Sequence, residues 1–371
     1  MKIGIYGGSF DPVHNDHVSI CLKFKNELAL DKVLVFPAYQ SPFKKGHFTG
    51  GNHRKKMVEL AFKDYPFIEV SDFELNSEEL SYTYLTISHV KDLYPNAQLY
   101  LLIGYDSLKG FLNWKNVDYI LSNVKLAVAD RGGCDFDEQK EVFKQTTGYD
   151  FYAIKNYGTV SSTHVRELLK LGVISNEVVS QAVCDYIKEN DLYPANEFYL
   201  KIQSRLKPGR LLHTAGVAST AVSYAKKTGE SVEKALVAGL LHDIAKYERA
   251  EDYPECEIPL DAPESVKHQY LGAYIAKNEF GIDDEDILNA IRYHTTGRPK
   301  MSLLEKIVFT ADLLEPSRNY DEVDELRLAV ESDFEKGFRR CVERLIAHLK
   351  ISASDIFYLT TLTNEYYNKK S

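Results

Sequence analysis

Six residues in the carboxy-terminal half carry side chains that hold divalent metals: His213, the adjacent pair His242 and Asp243, His268, His294 and Asp312. Imidazole and carboxylate together suit first-row divalent ions, and an aspartate can bridge two ions through its two oxygens. The His-Asp pair in GLLHDIAK is the anchor, because neighbouring ligands on one helix need only slight rotation to reach the same metal. A single histidine on an apolar helix is ordinarily a hydrogen-bonded core residue. Six such residues recurring in one half-chain point instead to metal-assisted chemistry.

A second constellation stands near the start of the sequence. Gly7, Gly8, Ser9, Phe10, Asp11, Pro12, Val13, His14, Asn15, Asp16 and His17 follow the apolar run KIGIYGG and open a helix. Glycines let a backbone approach an anion closely, and a helix amino terminus adds free N–H groups and a positive dipole end. His14 and His17 are three residues apart, so a helix puts both on one face, within reach of a polyphosphate. Alone, a glycine pair with two histidines reads as a tight turn.

The elements that must position these residues divide into two kinds. Through about residue 160, KIGIYGG, VLVFPAY, FIEVSDF, QLYLLIG and VKLAVAD alternate with helical stretches, which implies an α/β domain with a parallel sheet. STHVRELLKLG and SNEVVSQAVCDYIKEN follow as helices, and the polar stretch from Asn190 to Asn196 is the expected linker. From Glu197 onward apolar residues recur at helical spacing, so an all-α domain is expected. The expected domains are residues 1–190 and 197–371, joined by 191–196.

Bulk composition agrees with two soluble globular domains. The 371 residues exceed the size at which one hydrophobic core stops growing. A hydrophobic fraction of 44% with 27% charged residues gives no sign of disorder, and a net charge of -9 argues against a general nucleic-acid or membrane-surface binder. Cys21, Cys134, Cys184, Cys256 and Cys341 form no C-x-x-C pair, so neither a disulfide framework nor a thiolate zinc site is expected. MKIGIYGGSF reads as a buried strand rather than a signal peptide, and no segment approaches the roughly 20 apolar residues of a membrane span. A cytoplasmic protein follows, with neither nucleic-acid nor membrane partners. A homo-oligomer is compatible with the sequence.

Over roughly the first 190 residues the motifs resemble nicotinate-nucleotide adenylyltransferase of the nucleotidyltransferase superfamily, whose G-G-x-F-D-P is followed by H-x-G-H. SPFKK resembles the family's basic loop, Ser81-Tyr82-Thr83 its substrate loop, LLIGYDSL its fourth strand with Asp106, and LNW its tryptophan, Trp114. Arg131 and VSSTHVR then fall in order. The resemblance implies AMP transfer from ATP to nicotinate mononucleotide with release of pyrophosphate, aided by magnesium. It implies that His14 and His17 stabilise charge on the transferring and leaving phosphates, and that Lys44 or Lys45 helps hold the triphosphate. Ser161, Ser162, Thr163 and Arg166 would cradle pyrophosphate, while Thr83, Asp106, Trp114 and Arg131 would frame the nicotinate nucleotide; Gly7, Gly8, Ser9 and Phe10 complete the nucleotide site. Positioning and charge neutralisation suffice here, because the attacking phosphate is already an anion.

RLLHTAGVASTA, AGLLHDIAK, HQYLGAYIA and the run from AIRYHTTGRPK to TADLLEPSR resemble the HD hydrolase that splits diadenosine tetraphosphate symmetrically into two ADP, over about residues 197–350. The resemblance implies two divalent ions. His213, His242, Asp243 and Asp312 would hold one, and Asp243 would bridge to a second held by His268 and His294. Iron is the metal the family favours; manganese, zinc and cobalt fit the same donors. Lys246, Arg298 and Arg318 are the basic candidates for phosphate contacts, Arg because its planar fork matches phosphate oxygens.

Three residues depart from the adenylyltransferase pattern: Asp16 replaces the glycine of H-x-G-H, Phe43 a histidine, and Leu85 an acidic residue. A carboxylate facing the triphosphate would repel it; one facing away would merely cap the helix. A second reading therefore pairs a nucleotide-sensing amino-terminal domain with an HD hydrolase acting on another nucleotide phosphoester.

Overall fold

The computed structural model describes residues 1–40, 49–77, 80–130, 136–155, 158, 160–173, 176, 178–351 and 356–368. Phe43, Lys44, Lys45, Arg131 and Cys134 lie outside the described residues. The chain divides into two compact units, Met1–Val165 with Ile174–Tyr193, and Arg166–Val173 with Pro194–Ser371.

The first unit is a six-stranded, wholly parallel sheet of β1 (Lys2–Gly8), β2 (Lys32–Pro37), β3 (Ile68–Val70), β4 (Gln98–Gly104), β5 (Lys125–Asp130) and β6 (Phe151–Lys155). The strand order is β3-β2-β1-β4-β5-β6. A parallel sheet is covered on both faces, so its strands read as unbroken apolar runs. Leu99 through Ile103 in β4 are all buried, each aliphatic side chain contributing about 1.5–3 kcal/mol. The helices of this unit are α1 (Asn15–Glu27), α2 (Gly51–Phe62), α3 (Phe73–Asn76), α4 (Thr83–Leu93), α5 (Tyr105–Leu108), α6 (Val117–Asn123) and α7 (Phe136–Thr147), followed by α8 (Ser162–Lys170), which runs on into the second unit, and α9 (Gln181–Glu189). The chain reverses direction across the sheet between β1 and β4, and ligands bind outside the carboxyl ends of strands at such a switch point.

The sixth strand was not among the five expected. FYAIK is short, at the sheet edge, and keeps Tyr152 and Lys155 exposed, so it lacks the apolar run that marks the central strands.

Among its described residues the second unit contains helices and no strand: α10 (Glu197–Arg205), α11 (Pro208–Thr228), α12 (Val232–Leu241), α13 (Glu264–Phe280), α14 (Glu285–Arg292), α15 (Leu303–Leu314), α16 (Val323–Ser332), α17 (Phe334–Ile351) and α18 (Tyr358–Asn368). The stops are written locally. Helix α11 begins with Pro208 and ends at Gly229 in the left-handed region, and α15 starts with a reciprocal Ser302–Glu305 capping box. Gly239 of α12 lies against α11 so closely that an added Cβ would stand 2.7 Å from the Ala218 Cα. That approach brings His213 and His242 into one site. No helix among the described residues is long and apolar enough to cross a membrane.

Candidate functional sites

A cavity of about 440 Å³ opens at the β1–β4 switch point, and Gly7, Gly8, Ser9, Thr83, Asp106 and Trp114 all line it. Trp114 packs on Phe111, with ring centroids 5.0 Å apart, so it is both a wall of the cavity and part of the core edge. Phe10 is buried under the turn, and its ring lies 5.1 Å from that of His17. His14 caps α1, and its ring lies tilted against that of His17 with centroids 3.7 Å apart. The His14 backbone N–H donates to His17 Nδ1 at 3.2 Å. A neutral His17 therefore carries its proton on Nε2. Neither histidine is among the residues that line the cavity; the His17 ring stands 6.5 Å from that of Tyr6 in its wall.

Ser161 Oγ accepts the His164 N–H at 3.1 Å and caps the start of α8, while Ser162 Oγ donates to the Pro12 carbonyl at 3.1 Å. Thr163 follows in the first turn, and Arg166 continues α8 within the stretch that belongs to the second unit. Leu85 is an exposed residue of α4 and does not line the cavity.

The structure answers one of the two expectations for Asp16, that it caps α1. Its carboxylate neither lines the cavity nor caps α1, a task that falls to His14 and His17; Oδ2 accepts the Val160 N–H at 2.8 Å.

Two residues of this site escaped the sequence reading. Glu74 is buried in the cavity wall and accepts the Thr86 hydroxyl at 2.7 Å; burial raises its pKa, opposed by hydrogen bonds from Thr86 and Ser81. Arg54 is 1% exposed and donates to the carbonyls of Ser9 at 2.8 Å, Thr49 at 3.1 Å and Tyr39 at 3.5 Å. It thus joins the glycine turn to both ends of the segment that contains Lys44. Burial lowers its pKa and the nearby Asp11 carboxylate opposes that. Arg54→Met should remove three hydrogen bonds from a buried guanidinium to the Ser9, Thr49 and Tyr39 carbonyls and cost about 3 kcal/mol, lowering the melting temperature and raising the KM for ATP. Arg54→Lys should rescue only partly, because an ammonium cannot reproduce the planar fork. An unchanged melting temperature in Arg54→Met would contradict this role.

The carboxy-terminal site converges from five helical segments. His213 comes from α11, His242 and Asp243 from the end of α12, His268 from α13, His294 from just beyond α14, and Asp312 from α15. The two oxygens of Asp243 face opposite ways. Oδ2 lies 3.9 Å from His213 Nε2 and 3.5 Å from His242 Nε2, while Oδ1 lies 3.2 Å from His268 Nε2 and 3.7 Å from His294 Nε2. Asp312 Oδ1 is 3.1 Å from His213 Nε2.

The outward ring nitrogens are pinned. His242 Nδ1–H donates to the Gly239 carbonyl at 2.7 Å, His294 Nδ1–H to the Ile291 carbonyl at 2.8 Å, and His213 Nδ1–H to Glu315 Oε1 at 3.0 Å. These bonds fix the tautomer that presents Nε2 lone pairs to the centre. Burial pushes the His242 pKa down to about 3, so this imidazole is neutral, as a metal ligand must be. Burial also disfavours a charged Asp243, but the surrounding histidines outweigh it and hold the carboxyl well below its usual range. Lone pairs and carboxylate oxygens turned on one point, with His213, His242 and Asp312 forming one donor group and His242, Asp243 and His294 another, fit divalent cations.

Basic residues rim this centre. Arg210 Nη1 donates to Asp243 Oδ2 at 2.7 Å, and Arg318 Nη2 donates to Asp312 Oδ1 at 2.6 Å. Lys246 Nζ stands 3.2 Å from His268 Nε2 and 3.5 Å from Asp243 Oδ1. A cavity of about 450 Å³ beside the centre is lined by Lys207, Arg210, Tyr247 and Arg318 among others. Arg298 is not among them: its Nε and Nη2 donate to both oxygens of buried Glu305 at 2.8 and 2.6 Å. Arg210 and Glu315 escaped the sequence reading, although each lies three residues from a ligand-type residue on its own helix or at its end.

Comparison with known proteins follows the same division. The cytidylyltransferase-like family matches residues 5–168 and the HD domain family residues 210–317. A probable nicotinate-nucleotide adenylyltransferase of Clostridium tetani is 35% identical over 197 residues, spanning 52% of this chain and 98% of its own. The symmetrical bis(5'-nucleosyl)-tetraphosphatase of Bacillus subtilis is 37% identical over 169 residues, spanning 44% of this chain and 91% of its own. The chain belongs to both families, one in each half. A probable nicotinate-nucleotide adenylyltransferase/Ap4A hydrolase of Mycoplasma genitalium, 28% identical over 349 residues, has the two halves in one chain and matches 91% of this one and 96% of its own. The α/β adenylyltransferase half and the helical HD half thus carry the two sites described above.

Proposed function

We propose that the chain is a bifunctional cytoplasmic nucleotide enzyme, with the working division at residues 191–196. The adenylyltransferase half transfers AMP from ATP to nicotinate mononucleotide, and the HD half hydrolyses diadenosine tetraphosphate to two ADP. The observation that carries the hydrolase reading is the split of Asp243, each oxygen turned to a different histidine pair. For the transferase, support comes from the glycine-walled cavity at the switch point with His17 beside it.

In the HD half, His213, His242, Asp243 and Asp312 would hold one divalent ion and Asp243, His268 and His294 a second, iron being favoured over manganese, zinc or cobalt. Such ions supply hydroxide near neutral pH and positive charge for the leaving oxygen. The chain's own residues orient the substrate: Arg210, Arg318 and Lys207 face the cavity with positive charge, and Lys246 stands on the other side of Asp243. In the first half, the N–H groups of the glycine turn and of the α8 start hold phosphates with magnesium, and His17 Nε2–H donates to the oxygen on which charge develops.

Glu315 sets the orientation of His213. Glu315→Gln keeps an acceptor for His213 Nδ1–H but removes its charge, and is expected to weaken metal affinity about tenfold, within the 10–100-fold range for partners that orient ligands. Metal titration of the folded variant checks this; an affinity equal to wild type would rule it out.

The function itself is tested by incubating the purified chain with ATP plus nicotinate mononucleotide, and separately with diadenosine tetraphosphate under several divalent metals. Formation of pyrophosphate and the dinucleotide in the first mixture supports adenylyl transfer. ATP binding measured by calorimetry without pyrophosphate would favour a sensing domain instead.

A further inference from the structure

We infer that Asp16 is a positioning residue for the adenylyl-transfer site, latching the segment that feeds the Ser161-Ser162-Thr163 helix start; the inference rests on the transferase reading above. Asp16 is the residue at which the chain breaks the H-x-G-H pattern, and its carboxylate is engaged within the same unit. Oδ2 accepts the Val160 N–H at 2.8 Å, a charge-assisted bond to backbone. Gly158 passes so close that an added Cβ would lie 2.3 Å from Oδ2, 2.4 Å from Cγ and 2.7 Å from Oδ1 of Asp16. No side chain fits there without displacing the carboxylate. An aspartate at position 16 and a glycine at position 158 thus answer each other across the sequence.

The same segment is tied at both ends. Lys23 Nζ donates to the Lys155 carbonyl at 2.8 Å, and Ser162 Oγ donates to the Pro12 carbonyl at 3.1 Å. Asp16 holds the middle. Val160 is two residues before Ser162, the first residue of α8, so a displacement at Val160 shifts the N–H groups that an anion meets at that helix start. Asp16 is not among the residues that line the cavity, and it acts through the backbone of Val160.

The test is a double-mutant cycle in the full chain, read by the KM for ATP, kcat, ATP affinity by calorimetry, and melting temperature. Asp16→Gly should raise the KM for ATP and weaken ATP binding about tenfold, the worth of one charge-assisted hydrogen bond, with a smaller change in kcat. Asp16→Asn keeps an acceptor oxygen for Val160 and should return most of that loss. Gly158→Ala should be harmful in the wild-type background and add nothing in the Asp16→Gly background, where the space is open. Should Gly158→Ala fold poorly, the melting temperature still reads the contact: the double variant should melt above Gly158→Ala alone. Three results overturn the inference: tighter ATP binding in Asp16→Gly and Asp16→Asn alike, a lowered melting temperature in Asp16→Gly with unchanged KM and ATP affinity, or an equal effect of Gly158→Ala in both backgrounds. If the wild-type chain binds ATP without forming pyrophosphate, the transferase reading fails, while the calorimetric cycle still decides the role of Asp16.

Discussion

Asp243→Ala is expected to strip both divalent ions from the folded chain and reduce hydrolysis to background, whereas His268→Ala or His294→Ala should mainly weaken one ion. The difference follows from the geometry: Asp243 alone turns one oxygen to His213 and His242 and the other to His268 and His294. Two dications at the spacing of two-metal sites, about 4 Å, repel strongly. Unit charges at that distance repel by about 4 kcal/mol at an effective dielectric of 20, and double charges raise this roughly fourfold. A carboxylate shared by both ions would offset that repulsion, so its removal should cost far more than the loss of one imidazole. Asp243→Asn preserves the volume and serves as a control for packing, and should also lose hydrolysis. Metal content by mass spectrometry after dialysis, with circular dichroism to establish folding, is the readout. Equal metal loss in the aspartate and histidine variants would remove the bridging role.

His17→Ala should lower the rate of adenylyl transfer by on the order of 10²–10³, the usual effect of deleting one donor aimed at developing charge. The same substitution removes the acceptor for the His14 N–H and should cost about 1 kcal/mol of stability, as the loss of a helix cap does. The two effects separate. His17→Asn offers an acceptor to the cap and should recover the melting temperature without recovering the rate. Pyrophosphate release at saturating ATP measures the rate; a variant that transfers at the wild-type rate would exclude His17 from the chemistry.

Much of this was legible in the sequence because the residues concerned act locally. Gly7, Gly8, Thr83, Asp106 and Trp114 line one cavity, and the six ligand-type residues of the HD half meet at one centre, since each lies in a regular element or close to the end of one, where its neighbours in sequence fix its direction. What escaped depends on contacts between distant segments. Arg54 reads as one more cation on an amphipathic helix, yet its three carbonyl partners come from the glycine turn and from both flanks of the segment 41–48. Asp16 reads as a charge beside phosphate, and only its meeting with Val160, 144 residues away, shows where it points. Arg298 and Arg318 look alike in sequence. One is held by Glu305 and the other faces the ligand cluster, a distinction that rests on the carboxylate each finds.

The most direct test of the account is the identity of the products when the purified, metal-loaded full chain acts on diadenosine tetraphosphate. Chromatography of the reaction should show ADP alone, formed at twice the rate of substrate loss, and no ADP from the Asp243→Ala variant. ATP together with AMP, or a clear preference for a different phosphoester, would contradict it.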